Sequence, residues 1–345
     1  MVFGNLSTGY WLGAAAAAGL HWQELGRTTL GSTGDTIDVS SFTAKPYLMV
    51  LGHFFKTSPA NTRWRFNSDT GSNYAARQSG NGGTDSTLPS QTSIYTHADT
   101  GSDAFTVLNI NNITDKEKLV ISHEVSGNVN RREVVAKWAN TSNAITTVNG
   151  VQTDTGDYLT GSEVVVLGYD PADTTGTSVW EELASVDLSG GTGDSLSSGT
   201  ISAKKYLWVQ AYLEQSGSGD TGNICRFNSD SGSNYTVRYN ENGGSDTTST
   251  SRSNIVTGVN SGTDGAGEAF YINMFIINKS DKEKLIIGHL NDTDAGSGAG
   301  TAPGRSEFVA KWANTSGQIT NITWTNSGGS ATWATTSRLK VWGFN

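Results

Sequence analysis

The chain has one cysteine, Cys225, among 345 residues, so no intrachain disulfide can form. Folding in a reducing cytosol is therefore permitted. Charge is scarce too. Asp, Glu, Lys and Arg make up 16% of the residues, below the roughly 25% of an ordinary soluble chain. Proline occurs 5 times and glycine 42 times. Long Ala/Glu/Lys/Leu runs with helical period are missing, so salt-bridged surface helices are not expected. Ser, Thr, Asn and Gly fill the gap, and these residues suit turns and the exposed faces of strands. Lys and Arg form no cluster and the net charge is −9. That is the wrong sign for gripping phosphates, so nucleic acid is not an expected partner.

No apolar run is long enough to span a bilayer, and no membrane association is expected. The N-terminal segment MVFGNLSTGYWLGAAAAAGLHWQ has no Lys or Arg ahead of its apolar part, so a secretory signal is not expected. Residues 1–20 read as an arm, with a short helix over 13–19. The arm is either free or docked on a neighbouring subunit, with Tyr10, Trp11 and Leu12 as its contact candidates.

The usual carriers of chemistry are missing as well. The five histidines, His21, His53, His97, His123 and His289, show no metal-ligand spacing. No Gly-x-Ser-x-Gly elbow or P-loop is present. Asp residues are plentiful, but nothing pairs two of them in the manner of a glycosidase. The expectation is a protein that is not an enzyme and takes no cofactor.

What the chain does have is a duplication. RFNSDTGSNY at 65–74 returns as RFNSDSGSNY at 226–235. DKEKL at 115–119 returns at 281–285, and VAKWANTS at 135–142 returns at 309–316. The order is conserved between the copies, and the offset grows from 161 to 166 to 174 residues along the chain. This is far beyond the 20–50 residue period of a solenoid, so it reads as two copies of a whole domain. The turn-rich DPADTTGTS at 170–178 marks the boundary. The expected organisation is an arm over 1–20, a first domain over 21–170 and a second over 179–345.

Each copy shows strand alternation. Leu48, Val50 and Phe54 alternate with Tyr47, Met49, Leu51 and His53. Val134, Ala136 and Trp138 share a face, as do Phe308, Ala310 and Trp312. FTVLNINNI and LVISHEV flank TDKEK as a hairpin. About eight strands per copy separated by Gly/Asn/Asp turns predict an all-β chain of two tandem β-sandwiches, jelly-roll-like in topology.

The ten-residue motif reads first as a hairpin turn between Phe66 and Tyr74, with Asp, Asn and Gly closing it. Its oxygens also make a weak calcium candidate: Asn67, Asp69 and Asn73, and Asn228, Asp230 and Asn234 in the second copy. The terminal acidic residue of an EF-hand is missing. Arg65 with Arg77, and Arg226 with Arg238, are expected to pair with acids across strands. The row Tyr206, Trp208, Tyr212 is the other interaction candidate. It either packs on another surface or stacks on sugar rings, which leaves a glycan as a candidate ligand.

WQELGRTTLGSTGDTIDVSSF, RFNSDTGSNYAAR, DKEKLVISHE, RREVVAKWANTS and GSEVVVLGYD together resemble β-rich proteins of tailed bacteriophages and related environmental viruses. The resemblance covers nearly all of residues 22–170 and, less closely, 179–345, and leaves the arm outside. It implies a virion structural protein, assembled in the host cytoplasm, and carries over no catalytic residue. Within that class a capsid cement, decoration or minor capsid role ranks above a tail or fibre component and a double jelly-roll major capsid protein. Its implied partners are copies of the chain, a trimer by analogy with other jelly-roll virion parts, and other virion proteins. A carbohydrate-binding module or adhesin is the reading outside that class.

Overall fold

The computed structural model describes residues 21–97, 103–173, 177–219, 222–257, 267–293, 304–328 and 331–345. The arm, its short helix and Tyr10, Trp11 and Leu12 lie outside the described residues. Among the described residues every regular element is a strand. Half one contains β1 (Gln23–Thr29), β2 (Thr36–Val39), β3 (Tyr47–Phe54), β4 (Thr62–Phe66), β5 (Tyr74–Gly80) and β6 (Ser86–Gln91). It continues with β7 (Ile94–His97), β8 (Ala104–Asn111), β9 (Lys118–Ser126), β10 (Arg131–Trp138), β11 (Val148–Val151) and β12 (Glu163–Tyr169). Half two opens with β13 (Glu181–Asp187), β14 (Ser195–Ser197), β15 (Tyr206–Glu214), β16 (Asn223–Phe227), β17 (Tyr235–Glu241) and β18 (Thr247–Arg252). It closes with β19 (Ile255–Val256), β20 (Ala269–Ile277), β21 (Lys284–Asp292), β22 (Arg305–Trp312), β23 (Ile322–Asn326) and β24 (Arg338–Phe344).

In half one an eight-stranded sheet, β1-β12-β3-β8-β9-β10-β5-β6, packs on a four-stranded sheet, β2-β11-β4-β7. Half two repeats the order strand for strand, β13-β24-β15-β20-β21-β22-β17-β18 on β14-β23-β16-β19. The chain is thus two tandem antiparallel β-sandwiches. Each half has more strands than the eight expected. Most of the short strands, such as β2, β7, β11, β14 and β19, have four residues or fewer, too few for alternation to mark a strand in the sequence. β6, STLPSQ, exposes most of its residues and is held by its pairing with β5.

The core of each half lies between its sheets. In half one Leu48, Val50 and Phe54 meet Trp64, Phe66 and Val148 across the layers. In half two Leu207, Val209 and Leu213 meet Cys225, Phe227 and Trp324. Burial raises the thiol of Cys225, which is inert as a nucleophile there.

A third core joins the halves through the outer faces of the two large sheets. The strand register lays these faces out in four matching rows. In half one they run Tyr47-Asn111-Leu119, Met49-Asn109-Ile121-Val135, Leu51-Val107-His123-Glu133 and His53-Phe105-Val125-Arg131. In half two the corresponding rows run Tyr206-Ile277-Leu285, Trp208-Phe275-Ile287-Val309, Gln210-Asn273-His289-Glu307 and Tyr212-Tyr271-Asn291-Arg305. The joint core takes Leu51, Val107, Phe105 and Val125 from the last two rows of half one. From half two it takes Tyr206, Ile277, Leu285, Phe275, Ile287 and Val309, all in the first two rows.

Candidate interaction surface

The three repeated motifs meet at one corner of each sandwich. β4 belongs to the small sheet and β5 to the large one. RFNSDTGSNY is therefore not a hairpin turn. It carries the chain from one sheet to the other. Asn67 and Ser68 both take positive φ, 51° and 56°, as do Asn228 and Ser229. The Tyr74 hydroxyl accepts from Phe66 N at 2.9 Å, closing the corner from inside. Asp69 ties it to the VAKWANTS motif. Its carboxylate accepts from Gly71 N at 2.8 Å, Asn73 Nδ2 at 2.9 Å and Trp138 Nε1 at 2.7 Å. Asp230 does the same with Gly232, Asn234 and Trp312. Burial acts to raise both carboxyls, but the bonds from Trp, Asn and backbone outweigh it and hold both below the ordinary range. The DKEKL motif joins through Lys118, which donates to the carbonyls of Thr114, Lys116 and Asn140.

This geometry reassigns the calcium candidates. Asn67 Oδ1 accepts from Thr146 N and Thr147 N, as Asn228 Oδ1 does from Thr320 N and Asn321 N. Asn73 and Asn234 turn their amide nitrogens toward the aspartates. The oxygens are spent inside the corner and do not converge on a common centre, as a calcium site requires. Among the described residues no three His, Cys, Asp or Glu side chains gather to hold a metal ion. Millimolar calcium is expected to leave the melting temperature unchanged, and a rise of several degrees would overturn this assignment. The arginines differ from expectation in part. Arg65 and Arg226 donate to the carbonyls of Thr92 and Ser253, and Arg238 donates to Val129 O in the other half. Arg77 faces Asp85 at 3.5 Å, and Arg238 faces the equivalent acid, Asp246, at 3.9 Å, as expected.

The row Tyr206, Trp208, Tyr212 is divided by the joint between the halves. Tyr206 is buried there and its hydroxyl donates to Glu163 at 2.6 Å. An outside ligand has no access to it. Trp208 is half-buried against Trp180, Phe275 and Trp342, with its Nε1 on Asn273. Tyr212 alone is open, beside Tyr271.

At the centre of the joint, equivalent residues meet. The rings of His123 and His289 lie 4.2 Å apart, and Glu133 faces Glu307, with Arg131 donating to both. Burial, then the hydrogen bond shared with Glu307, pushes Glu133 up to about 8. Glu307 is held down, against its burial, by that bond and the arginines. A raised carboxyl means that the folded protein keeps a proton which the unfolded chain gives up. This group's contribution therefore falls as pH rises from about 4.5 through about 8. Glu133→Gln mimics the protonated form. It is expected to stabilise the protein by about 1–2 kcal/mol at pH 9 and to change little at pH 5. Urea titrations at the two pH values check this, and an equal effect at both would refute it.

The surface that stands out is the first two rows of half one. Leu119, Ile121 and Val135 are 56%, 52% and 52% exposed, whereas their equivalents Leu285, Ile287 and Val309 are 1%, 3% and 3% exposed. Beside them a groove of about 500 Å³ is lined by Trp22, Tyr47, Tyr169, Leu119 and Ile121, with Asn109 and Asn111. Tyr47 stacks on Tyr169 with centroids 6.0 Å apart, and Trp22 tilts against Tyr169 at 5.8 Å.

No family model matches this chain, and no curated protein matches it. Among solved structures, the mouse laminin alpha1 chain, domains LG4-5, aligns over 94% of this chain and 91% of that one. The identity is 11% and the TM-score 0.18.

The repeated motifs thus build corners, and their repetition does not mark the open face. A signal for it exists in the differences between the copies. Asn109 and Asn111 of half one stand where half two has Phe275 and Ile277, while Val107 and Val125 stand where half two has Asn273 and Asn291. The apolar residue sits in whichever copy buries that position in the joint.

Proposed function

We propose that this chain is a non-enzymatic structural subunit of a bacteriophage-like virion, acting through protein contacts as a capsid cement, decoration or minor capsid protein. The observation that carries the reading is the open apolar face of half one, whose counterpart in half two is covered by another sheet of the same kind. Contiguous apolar patches of this sort mark interaction sites. The sequence resemblance to phage proteins supplies the virion context. Peptide mass spectrometry of density-purified particles from a source encoding the chain is expected to find it at a fixed, stoichiometric ratio to the major shell protein. Recovery only from the particle-free fraction would refute the proposal.

A second reading is favoured by one observation. The Trp22, Tyr47 and Tyr169 rings with the Asn109 and Asn111 amides present stacking faces beside hydrogen-bonding groups, as a sugar site does. The aliphatic Leu119 and Ile121 in the same lining favour a protein partner. Glycan-array binding abolished by Tyr47→Ala would reverse that ranking.

A further inference from the structure

We infer that the open face of half one is a self-association surface, on which a second copy of this chain packs the same face through Leu119, Ile121 and Val135. This deepens the proposed function by naming the partner, and rests on the reading that the chain works through protein contacts.

The molecule shows once what covers such a face. In half two the matching residues Leu285, Ile287 and Val309 lie under the large sheet of half one, in a core that also holds Phe105, Val107 and Val125. The partner there is another sheet of the same fold. In that joint equivalent positions face each other, His123 with His289 and Glu133 with Glu307. The joint as a whole is offset, since it sets the first two rows of half two on the last two rows of half one; a closed dimer of two open faces would instead be isologous, the commonest symmetry of a homodimer.

The open face also continues an established interface. Met49 lies in the same row as Ile121 and Val135, and Leu167 pairs with Met49; both are buried in the joint core. The charges at the rim are already matched. Lys137, beside Leu119, pairs with Glu117 at 2.9 Å, and Arg77, beside Val135, pairs with Asp85. Among the described residues no unmatched charge at this rim selects an acidic or basic partner, and an uncharged apolar face is complementary to itself. Exposed patches on monomers run to about 300–600 Å², and a standard interface takes about 800 Å² from each partner. Leu119, Ile121, Val135, Tyr47 and Ile113, with the groove beside them, supply the apolar centre of such an interface.

The test is light scattering and sedimentation of the full chain over a concentration series. The expected mass is twice 36.4 kDa. The double variant Ile121→Lys, Val135→Lys is expected to return it to 36.4 kDa with an unchanged circular dichroism spectrum and melting temperature, since both side chains are more than half exposed. As a second measurement, Ile121→Cys is expected to give a cross-linked dimer under mild oxidation. The background is silent because Cys225 is the only native cysteine and is buried. A wild-type chain that stays at 36.4 kDa at its highest soluble concentration would sink the inference. So would an oligomer that survives the lysines, or one that depends on residues 1–20 in their place. A monomer that is nonetheless found in purified particles removes the dimer and leaves the virion reading standing. A dimer missing from particles does the reverse.

Discussion

Replacing Glu163 with alanine is expected to cost about 3–5 kcal/mol at neutral pH, the range for removing one partner of a buried ion pair. Its carboxylate accepts from Lys205 Nζ at 2.8 and 2.9 Å, the Tyr206 hydroxyl at 2.6 Å and Thr29 Oγ1 at 2.6 Å. Lys205 and Tyr206 belong to half two, so one side chain ties the joint. Burial alone would raise this carboxyl, but the hydrogen bonds from Lys205, Thr29 and Tyr206 overcome it and hold it at about 2. A depressed carboxyl contributes above its unfolded value, here 4.5, and loses that contribution as pH falls through about 2. The penalty of Glu163→Ala should therefore shrink toward acid pH. The heat-capacity peak should also broaden or split as the halves lose their coupling. A cost below about 1 kcal/mol at neutral pH, or one independent of pH, would contradict the assignment.

Asp69→Ala is expected to cost about 2–3 kcal/mol, because it strands the Trp138 Nε1 donor and loosens the turn held through Gly71 and Asn73. Asp69→Asn should cost nearly as much. A side-chain amide has one acceptor oxygen where three donors converge, and its own NH₂ would face two of them. Asp230→Ala should match it, with Trp312 in the role of Trp138. The two aspartates share no partner, so the double variant should lose the sum to within about 0.5 kcal/mol. Chemical denaturation of the four proteins checks this. An Asp69→Asn variant as stable as wild type would show that the carboxylate is not what fastens the corner.

The long strands were legible because their alternation is strong. Val134, Ala136 and Trp138 line the core, as the pattern predicts. The corner resembles a hairpin in sequence for a physical reason. Phe66 and Tyr74 look like the two arms of one hairpin, and nothing local reveals that β4 and β5 belong to different sheets. That information resides in Trp138 Nε1, 69 residues away from the Asp69 it bonds. The interaction surface was harder still. Leu119 and Leu285, Ile121 and Ile287, and Val135 and Val309 are identical pairs, so residue type cannot say which copy is covered. Only their neighbours differ, Asn109 and Asn111 against Phe275 and Ile277, and the difference acquires meaning once the register aligns the rows.

The internal duplication also changes how the two sandwiches respond to dilution. Two separate domains meeting through this joint would part as their concentration fell. Carried on one chain, each half meets its twin at an effective concentration on the order of millimolar, whatever the solution outside contains. The seam through Glu163 and Tyr206 thus holds independently of dilution for as long as the chain is intact, and its strength is set by its own contacts rather than by how much protein is present.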